Sequence, residues 1–582
     1  MILQALKEYY DRKAALPDSK MAPEGFEWKE IPFIFVLDKD GSLVNIERTY
    51  EGAGKSRRAK SFLIPHTVKK ASNIAANLFW GTPEYVLGLV RENGKPARVK
   101  KMHAAFIERI RDLGEIADDG YSAVRRFMEM PDKQKLLSDY AEKDPATKEV
   151  LQELFETGRN LSFRLLGDNC LVPERKVVYG SIKNFLANSS KGSRWRCLVT
   201  GDVDALALTH DAIKGVWGAQ PTGGNVVSFN FPAACSYGKT QGENAPVGKS
   251  AVSSYTTALN HLLDKDSRQR IQVGESTAVF WSKKSSKLED DFFDFFSIPP
   301  KDDPDRGVRA VESLLRSVEN GAFPSDEASD EFYVLALAPN AARLSVRLWV
   351  KGPVSSMAEK IAQHFKDMQI VHSPKDAPFL PLFKLLLSIA ALGKAENIPP
   401  NLAGETMRAI LEGLPYPRTL LHAAVRRIRA EREITYPRAA LIKAILNRFA
   451  IYQNPENKEE LKVSLDRENK NVGYRLGRLF AALEKVQEEA NPGINATIRD
   501  RFYGAASSTP VTVFGNLMRL KNHHLAKLDN PGRRVNFEKL LSEIAGELPA
   551  TGFPAHLSLD DQGRFAIGYY HQKQDFYAKK SE

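Results

Sequence analysis

From residue 379 onward, apolar side chains recur every three or four positions through one segment after another, and few runs alternate with a period of two. The segments are 379–392, 402–411, 419–433, 437–452, 473–489, 511–527 and 536–548. Such a repeat buries one stripe of a helix, whereas a strand with one buried face needs alternation. The last third therefore reads as a helical bundle, with a short strand pair expected only in the tail, at 557–570.

The first two thirds read differently. Residues 31–37 and 42–50 are strand-like and flank Asp38-Lys39-Asp40-Gly41, a tight-turn sequence, so they form a hairpin. Further strands are expected at 84–90, 195–200, 226–230, 277–281, 332–338 and 344–350. Helices are expected at 1–15, 102–113, 146–160, 249–263 and 355–366. The proline- and acid-rich run 297–306 reads as an exposed linker or long loop. The fold class is α+β, with antiparallel strands and helices followed by a bundle. The expected organisation is 1–300, then 301–378 as linker and strand pair completing the N-terminal region, then 379–582. A chain of 582 residues with 43% hydrophobic content buries a substantial core.

Three cysteines without CxxC spacing support neither a disulfide framework nor a zinc site, and point to a reducing cytoplasm. The first fifteen residues place Ile2, Leu3, Leu6, Tyr9 and Tyr10 on one helical face and lack the layout of an export signal. The most apolar stretch, 379–393, is interrupted by Lys384 and is too short to cross a membrane, for which roughly 20 apolar residues are needed.

Charge is more informative. With 83 Lys and Arg against 72 Asp and Glu the net charge is +11. Fourteen of the cations fall within 48–111 against four acids, so this stretch alone carries +10. Clustered cations gain affinity for nucleic acid by releasing condensed counterions. A second run, Arg426, Arg427, Arg429, Arg432 and Arg438, lies in a helical pattern interleaved with Glu431 and Glu433. That run suits an ordinary solvated helix as well as a ridge along a phosphate backbone.

No catalytic or metal-binding constellation stands out, and no cofactor is called for. Gly248-Lys249-Ser250 and Gly52 to Ser56 both lack the earlier glycine of a phosphate-binding loop, and Ser250 reads as a helix N-cap. Asp202 and Asp204 after a strand, with His210 nearby, leave a metal-dependent nuclease as the alternative reading, although a solvated turn is the plainer one. His523 and His524 are adjacent on a helix and lack the i, i+4 spacing of a zinc pair. The most distinctive stretch, 213–260, scatters seven glycines among Asn and Gln, with Lys214 and Lys239. Amide side chains pair with base edges, lysine neutralises phosphate, and glycine allows close backbone approach.

At this stretch the chain resembles the large subunit of the subtype I-C CRISPR Cascade, an RNA-guided surveillance complex. The resemblance rests on CLVTG at 197–201, IKGVWGAQPTGGNVVSFN at 213–230, SYGKTQGENAPV at 236–247 and YTTALNHLL at 255–263. It extends to MILQALKEYYDR at the start and VKKASNIAANLFWGTPEYVLG at 68–88. The resemblance implies a non-catalytic subunit that recognises the protospacer-adjacent motif in duplex DNA and helps open the strands. Its implied partners are guide RNA, target DNA, the Cascade backbone subunits, the guide-handle-binding subunit, the small subunit and a recruited helicase-nuclease. A helical C-terminal region resembling the small subunit is implied as well. The alternative outside catalysis is a scaffold that does not read DNA.

Residue chemistry at the matching blocks selects Lys69, Lys70, Ser72 and Asn73, with Lys239, Gln241 and Asn244, as motif-proximal contacts. Gly223, Gly224 and Asn225 are expected to form a loop entering a groove, and Arg426 and Arg427 to line a displaced strand.

Overall fold

The computed structural model describes every residue except 18, 53–56, 69–73, 92–93, 144, 189–192, 321–327, 400, 457–459 and 579–582. The chain forms two compact units, one of Met1–Asp211 with Val227–Leu259, the other of Ala212–Val226 with Asn260–Glu582. The boundaries expected near 300 and 378 both fall inside the second unit.

In the first unit, helix α1 (Ile2–Ala14) buries Leu6 and Tyr9, as its apolar face predicts. Strand β1 (Phe26–Glu30) pairs with β4 (Ser61–Pro65), and β2 (Phe33–Leu37) with β3 (Leu43–Arg48). The hairpin turn is set by Asp38, whose carboxylate accepts the backbone N–H groups of Asp40 and Ser42 at 3.0 and 2.8 Å. Gly41 sits there at φ +85°, with no room for a side chain because the Ala123 carbonyl would lie 2.9 Å from a Cβ. Strand β5 (Trp80–Gly81) and β6 (Leu161–Leu165) complete a four-stranded sheet of order β3-β2-β6-β5, in which β2 and β6 run parallel. All five residues of β2 are buried, Phe33, Phe35 and Leu37 in one cluster, Ile34 and Val36 in another with Trp80 and Leu171. A strand covered on both faces reads as a continuous apolar run, which FIFVL is.

The strand expected at 84–90 is instead a short helix, Pro83–Val86, because proline fits the first helical position after Thr82. The strand expected at 195–200 is confined to β7 (Arg194–Arg196), paired with β8 (Val203–Ala205). Residues 226–230 form no strand.

The second unit contains an antiparallel meander of β9 (Arg270–Val273), β10 (Ser276–Ser282), β11 (Glu331–Asn340) and β12 (Arg343–Pro353), in that order. One hydrophobic cluster runs from Ile271, Phe280, Phe332 and Val334 on this sheet to Phe480, Phe565 and Tyr570 in the C-terminal helices. Sheet and bundle thus share one core. The run 297–306 is an exposed loop joining helices Lys287–Phe296 and Arg306–Glu319 within this unit.

The bundle expected after 378 is present: α2 (Leu402–Glu412), α3 (Arg418–Glu431), α4 (Tyr436–Gln453), α5 (Val472–Ala490), α6 (Pro531–Gly546) and α7 (Leu559–Tyr577) are among its helices. The strand pair expected at 557–570 is part of α7. Ser558 caps it by accepting the Asp561 N–H at 3.1 Å, and residues Phe565 to Gln572 are all buried. A helix buried all round shows no one-sided stripe, so its periodicity is hidden.

Two buried histidines make the second unit sensitive to acid. His364 Nδ1 is hydrogen-bonded to the Tyr416 hydroxyl at 2.8 Å, and His571 Nδ1 to that of Tyr474 at 3.0 Å. Burial, helped by the Arg448 and Lys443 charges, holds their pKa values down to about 3 and about 4 from an ordinary 6.5. The unfolded chain therefore binds protons that the folded chain refuses, and stability is lost as pH falls from about 6.5 toward 4. The expected loss is roughly 3 kcal/mol for each histidine. Denaturant titrations at pH 7 and 4.5 check this, with His571→Gln expected to reduce the pH dependence.

Candidate nucleic-acid interface

In the first unit, residues 236–244 form an exposed loop built around Asn244. The Asn244 Oδ1 accepts the Ser236 N–H at 3.0 Å, and its Nδ2 donates to the carbonyls of Gln241 at 3.0 Å and Lys239 at 3.4 Å. Thr240 donates its N–H to the Glu243 carboxylate at 2.7 Å, and its hydroxyl bonds the same oxygen at 3.1 Å. These bonds hold the Glu243 carboxyl below its usual range. Gly242 anchors the loop: its N–H donates to the Leu208 carbonyl at 2.9 Å, and a Cβ would lie 3.0 Å from that same oxygen.

The loop thus presents Gln241 outward and Lys239 half-buried, with the Lys239 ammonium 5.9 Å from the Trp195 ring centroid. Trp195 lies between the exposed Arg194 and Arg196 on β7. Lys239, Gln241 and Asn244 are therefore brought together, but the Asn244 amide is committed to the loop backbone. It sets the loop's shape, where sequence chemistry suggested a base-reading group.

Of the carboxylates that suggested a nuclease, Asp204 has a structural task. Asp204 accepts the Ser250 N–H at 3.1 Å and its hydroxyl at 2.8 Å, capping helix Lys249–Leu262. A carboxylate is favourable there because it meets unpaired N–H groups and the positive end of the helix dipole. Ser250 is thus inside the helix and is the capped residue, not the cap. Gly248 is required alongside, since a Cβ would come 2.6 Å from that of Asp204. His210 is buried with its Nδ1 2.6 Å from the Tyr255 hydroxyl, and Asp202 is exposed on the turn between β7 and β8. Among the described residues no group of three or more His, Cys, Asp or Glu side chains is placed to hold a metal ion.

The basic stretch 48–111 divides by use. Arg48 and Arg57 both pair with Glu153, Arg91 with Glu84, and Arg111 with Glu129. The side chains of Lys95, Arg98, Lys100 and Lys101 are exposed, with no ion-pair partner among the described residues. They cluster at the start of helix Pro96–Arg111, whose first turn carries no acid. Cations there oppose the helix dipole, so the arrangement is not one that helix stability favours. Lys69, Lys70, Ser72 and Asn73 lie outside the described residues. Beside them, Asn77 is buried and its Oδ1 accepts the Val68 N–H at 3.0 Å.

In the second unit, Gly223 and Gly224 serve packing. Gly223 stands at φ +88°, with the Ile213 carbonyl 2.6 Å from where a Cβ would be, and Gly224 is buried against Leu344. Asn225 accepts the Leu344 N–H at 3.0 Å through its backbone carbonyl. Gly223 thus fits against Ile213 and Gly224 against β12, and the backbone of Gly224, bonded to Ile213 in both directions, is not available to enter a groove. On α3, Arg426 is exposed, whereas Arg427 pairs with Glu431 at 3.1 Å, an acid also held by buried Arg438. These pairs hold the Glu431 carboxyl low.

Sequence reading missed Arg194, Trp195 and Arg196, although the basic-aromatic-basic order RWR was there to be seen. No described helix is long and apolar enough to cross a membrane.

Comparison with known proteins adds what geometry alone leaves open. Residues 6–577 match the family model described as CRISPR-associated protein (Cas_Csd1). No curated protein sequence matches the chain. With nearly its whole length matched, the chain belongs to the CRISPR-associated Cas_Csd1 family, the type I-C large subunits, and is a subunit of a Cascade surveillance complex.

Proposed function

We propose that this chain recognises the protospacer-adjacent motif in duplex DNA, promotes strand opening for guide-RNA pairing and supports recruitment of the helicase-nuclease, itself cleaving nothing. The observation that carries the reading is the braced loop at 236–244, which holds Lys239 beside an Arg-Trp-Arg ribbon and leaves Gln241 exposed. Guide pairing supplies the long sequence specificity, and exchange of a DNA duplex for an RNA–DNA duplex is nearly balanced, so a few protein contacts tip it. Lysine secures phosphate, while an outward glutamine amide pairs with a base edge. Asp204, engaged in capping a helix, favours this reading over a nuclease built on Asp202, Asp204 and His210.

The test is Lys239→Ala combined with Gln241→Ala in the assembled complex. A good base contact contributes about 1 to 3 kcal/mol of discrimination, so the preference for motif-bearing over scrambled duplex should fall roughly ten-fold. Gel shifts on both duplexes measure it, and an unchanged preference contradicts the assignment.

A further inference from the structure

Tyr237 is 98% exposed, the most exposed large hydrophobic side chain among the described residues. Its backbone stands at φ +54° and that of Gly238 at φ +72°, while the Lys239 N–H donates to the Ser236 carbonyl at 3.0 Å. These four residues form a tight turn with both central residues left-handed. Asn, Asp or Gly ordinarily occupies the first central position; an aromatic residue there is strained. Asn244 holds the turn in place from below, bonding the N–H of Ser236 and the carbonyl of Lys239.

A strained backbone that thrusts an aromatic ring into water stabilises nothing within the chain, so its use lies with a partner. The neighbouring groups say which. Lys239 follows two residues later, leaning toward Trp195, and Arg194 and Arg196 are exposed on the adjoining ribbon. Cations take phosphates; a flat ring among them takes the face of a base, whatever its identity. A base inside a duplex already has stacking neighbours on both faces, whereas a base at a parting fork has lost one.

We propose that Tyr237 stacks on the nucleobase exposed where the target duplex first parts, holding the fork open for guide pairing. This rests on the duplex-reading function proposed above. The ring is a positioning device: it acts after the motif is found and carries no sequence information.

The test uses the assembled complex with a target duplex carrying the fluorescent base 2-aminopurine at the first positions beyond the motif. Tyr237→Gly suits the left-handed turn and should leave the melting temperature of the chain unchanged or higher. Its rate of fluorescence increase should fall about ten-fold, as expected for losing one stacked base. Tyr237→Phe should open DNA like the wild type, and motif preference in binding should survive in both variants. Opening by Tyr237→Gly at the wild-type rate overturns the proposal. Wild-type complex that ignores the motif overturns the underlying reading instead, and the comparison of the two variants still decides the role of the ring.

Discussion

Neutralising Lys95, Arg98, Lys100 and Lys101 together with glutamine is expected to flatten the salt dependence of DNA binding by the assembled complex. Each phosphate contact contributes about 0.9 to the slope of log affinity against log salt on duplex DNA. Four lost contacts reduce the slope by about 3 to 4, which is on the order of a hundred-fold in relative affinity between 50 and 200 mM salt. The expectation is specific to these four because they remain unpaired among the described residues, while Arg48, Arg57, Arg91 and Arg111 already have carboxylate partners. Neutralising Arg48 and Arg57 should alter the slope far less. Fluorescence anisotropy across a salt series measures both, and an unchanged slope in the fourfold variant removes this helix from the interface.

Gly477→Ala is expected to destabilise the second unit by about 2 kcal/mol or more, mainly through overpacking. Helices α5 and α7 cross with backbone against backbone. A Cβ at 477 would overlap the Phe565 carbonyl and lie 2.8 Å from the Tyr569 nitrogen. Gly568 faces the same constraint from the Tyr474 carbonyl group, and Gly473 from that of Asp561. Backbone atoms cannot rotate aside, so the helices would separate and loosen the rings of Phe480, Phe565 and Tyr569. Separation would also disturb Glu484, 2% exposed, which accepts the Tyr569 hydroxyl and that of Thr497. Alanine gains up to about 1 kcal/mol of helix propensity over glycine, too little to offset this. Gly504 is the control: it lies in helix Ile498–Ser508 with nothing within 4 Å of a Cβ, so Gly504→Ala should stabilise by roughly 0.5 to 1 kcal/mol. Chemical denaturation of the full chain reports the two opposite signs.

The glycines of α5 and α7 also explain what was and was not legible in the sequence. In 557–570 they weakened the helical pattern, yet they are there because two helices touch. The hairpin Phe33–Leu37 and Leu43–Arg48 was legible because its turn residues act locally. Strand Leu161–Leu165 was not, because it pairs in parallel with Phe33–Leu37 across more than a hundred residues, a contact no local pattern encodes. The meander strands Ser276–Ser282, Glu331–Asn340 and Arg343–Pro353 were found from their apolar runs, but the short edge strand Arg270–Val273 was not.

At the candidate site, residue types were legible and their local structural tasks were not. Composition placed amides and glycines in 213–260, but an amide that braces a turn and one that reads a base look alike in a sequence. Asn244 braces its own loop, whereas the Gln241 side chain is exposed. Tyr237 gave no signal at all, since a left-handed tyrosine is recognised only from its backbone angles.

On the proposed function, this subunit brings duplex reading to the complex. The most direct measurement compares guide-loaded complex assembled with and without the chain, binding target duplexes that carry the motif or a scrambled flank. Strong motif preference is expected with the chain and none without it. Equal preference in the two preparations, or the same affinity for both duplexes in the complete complex, would contradict it.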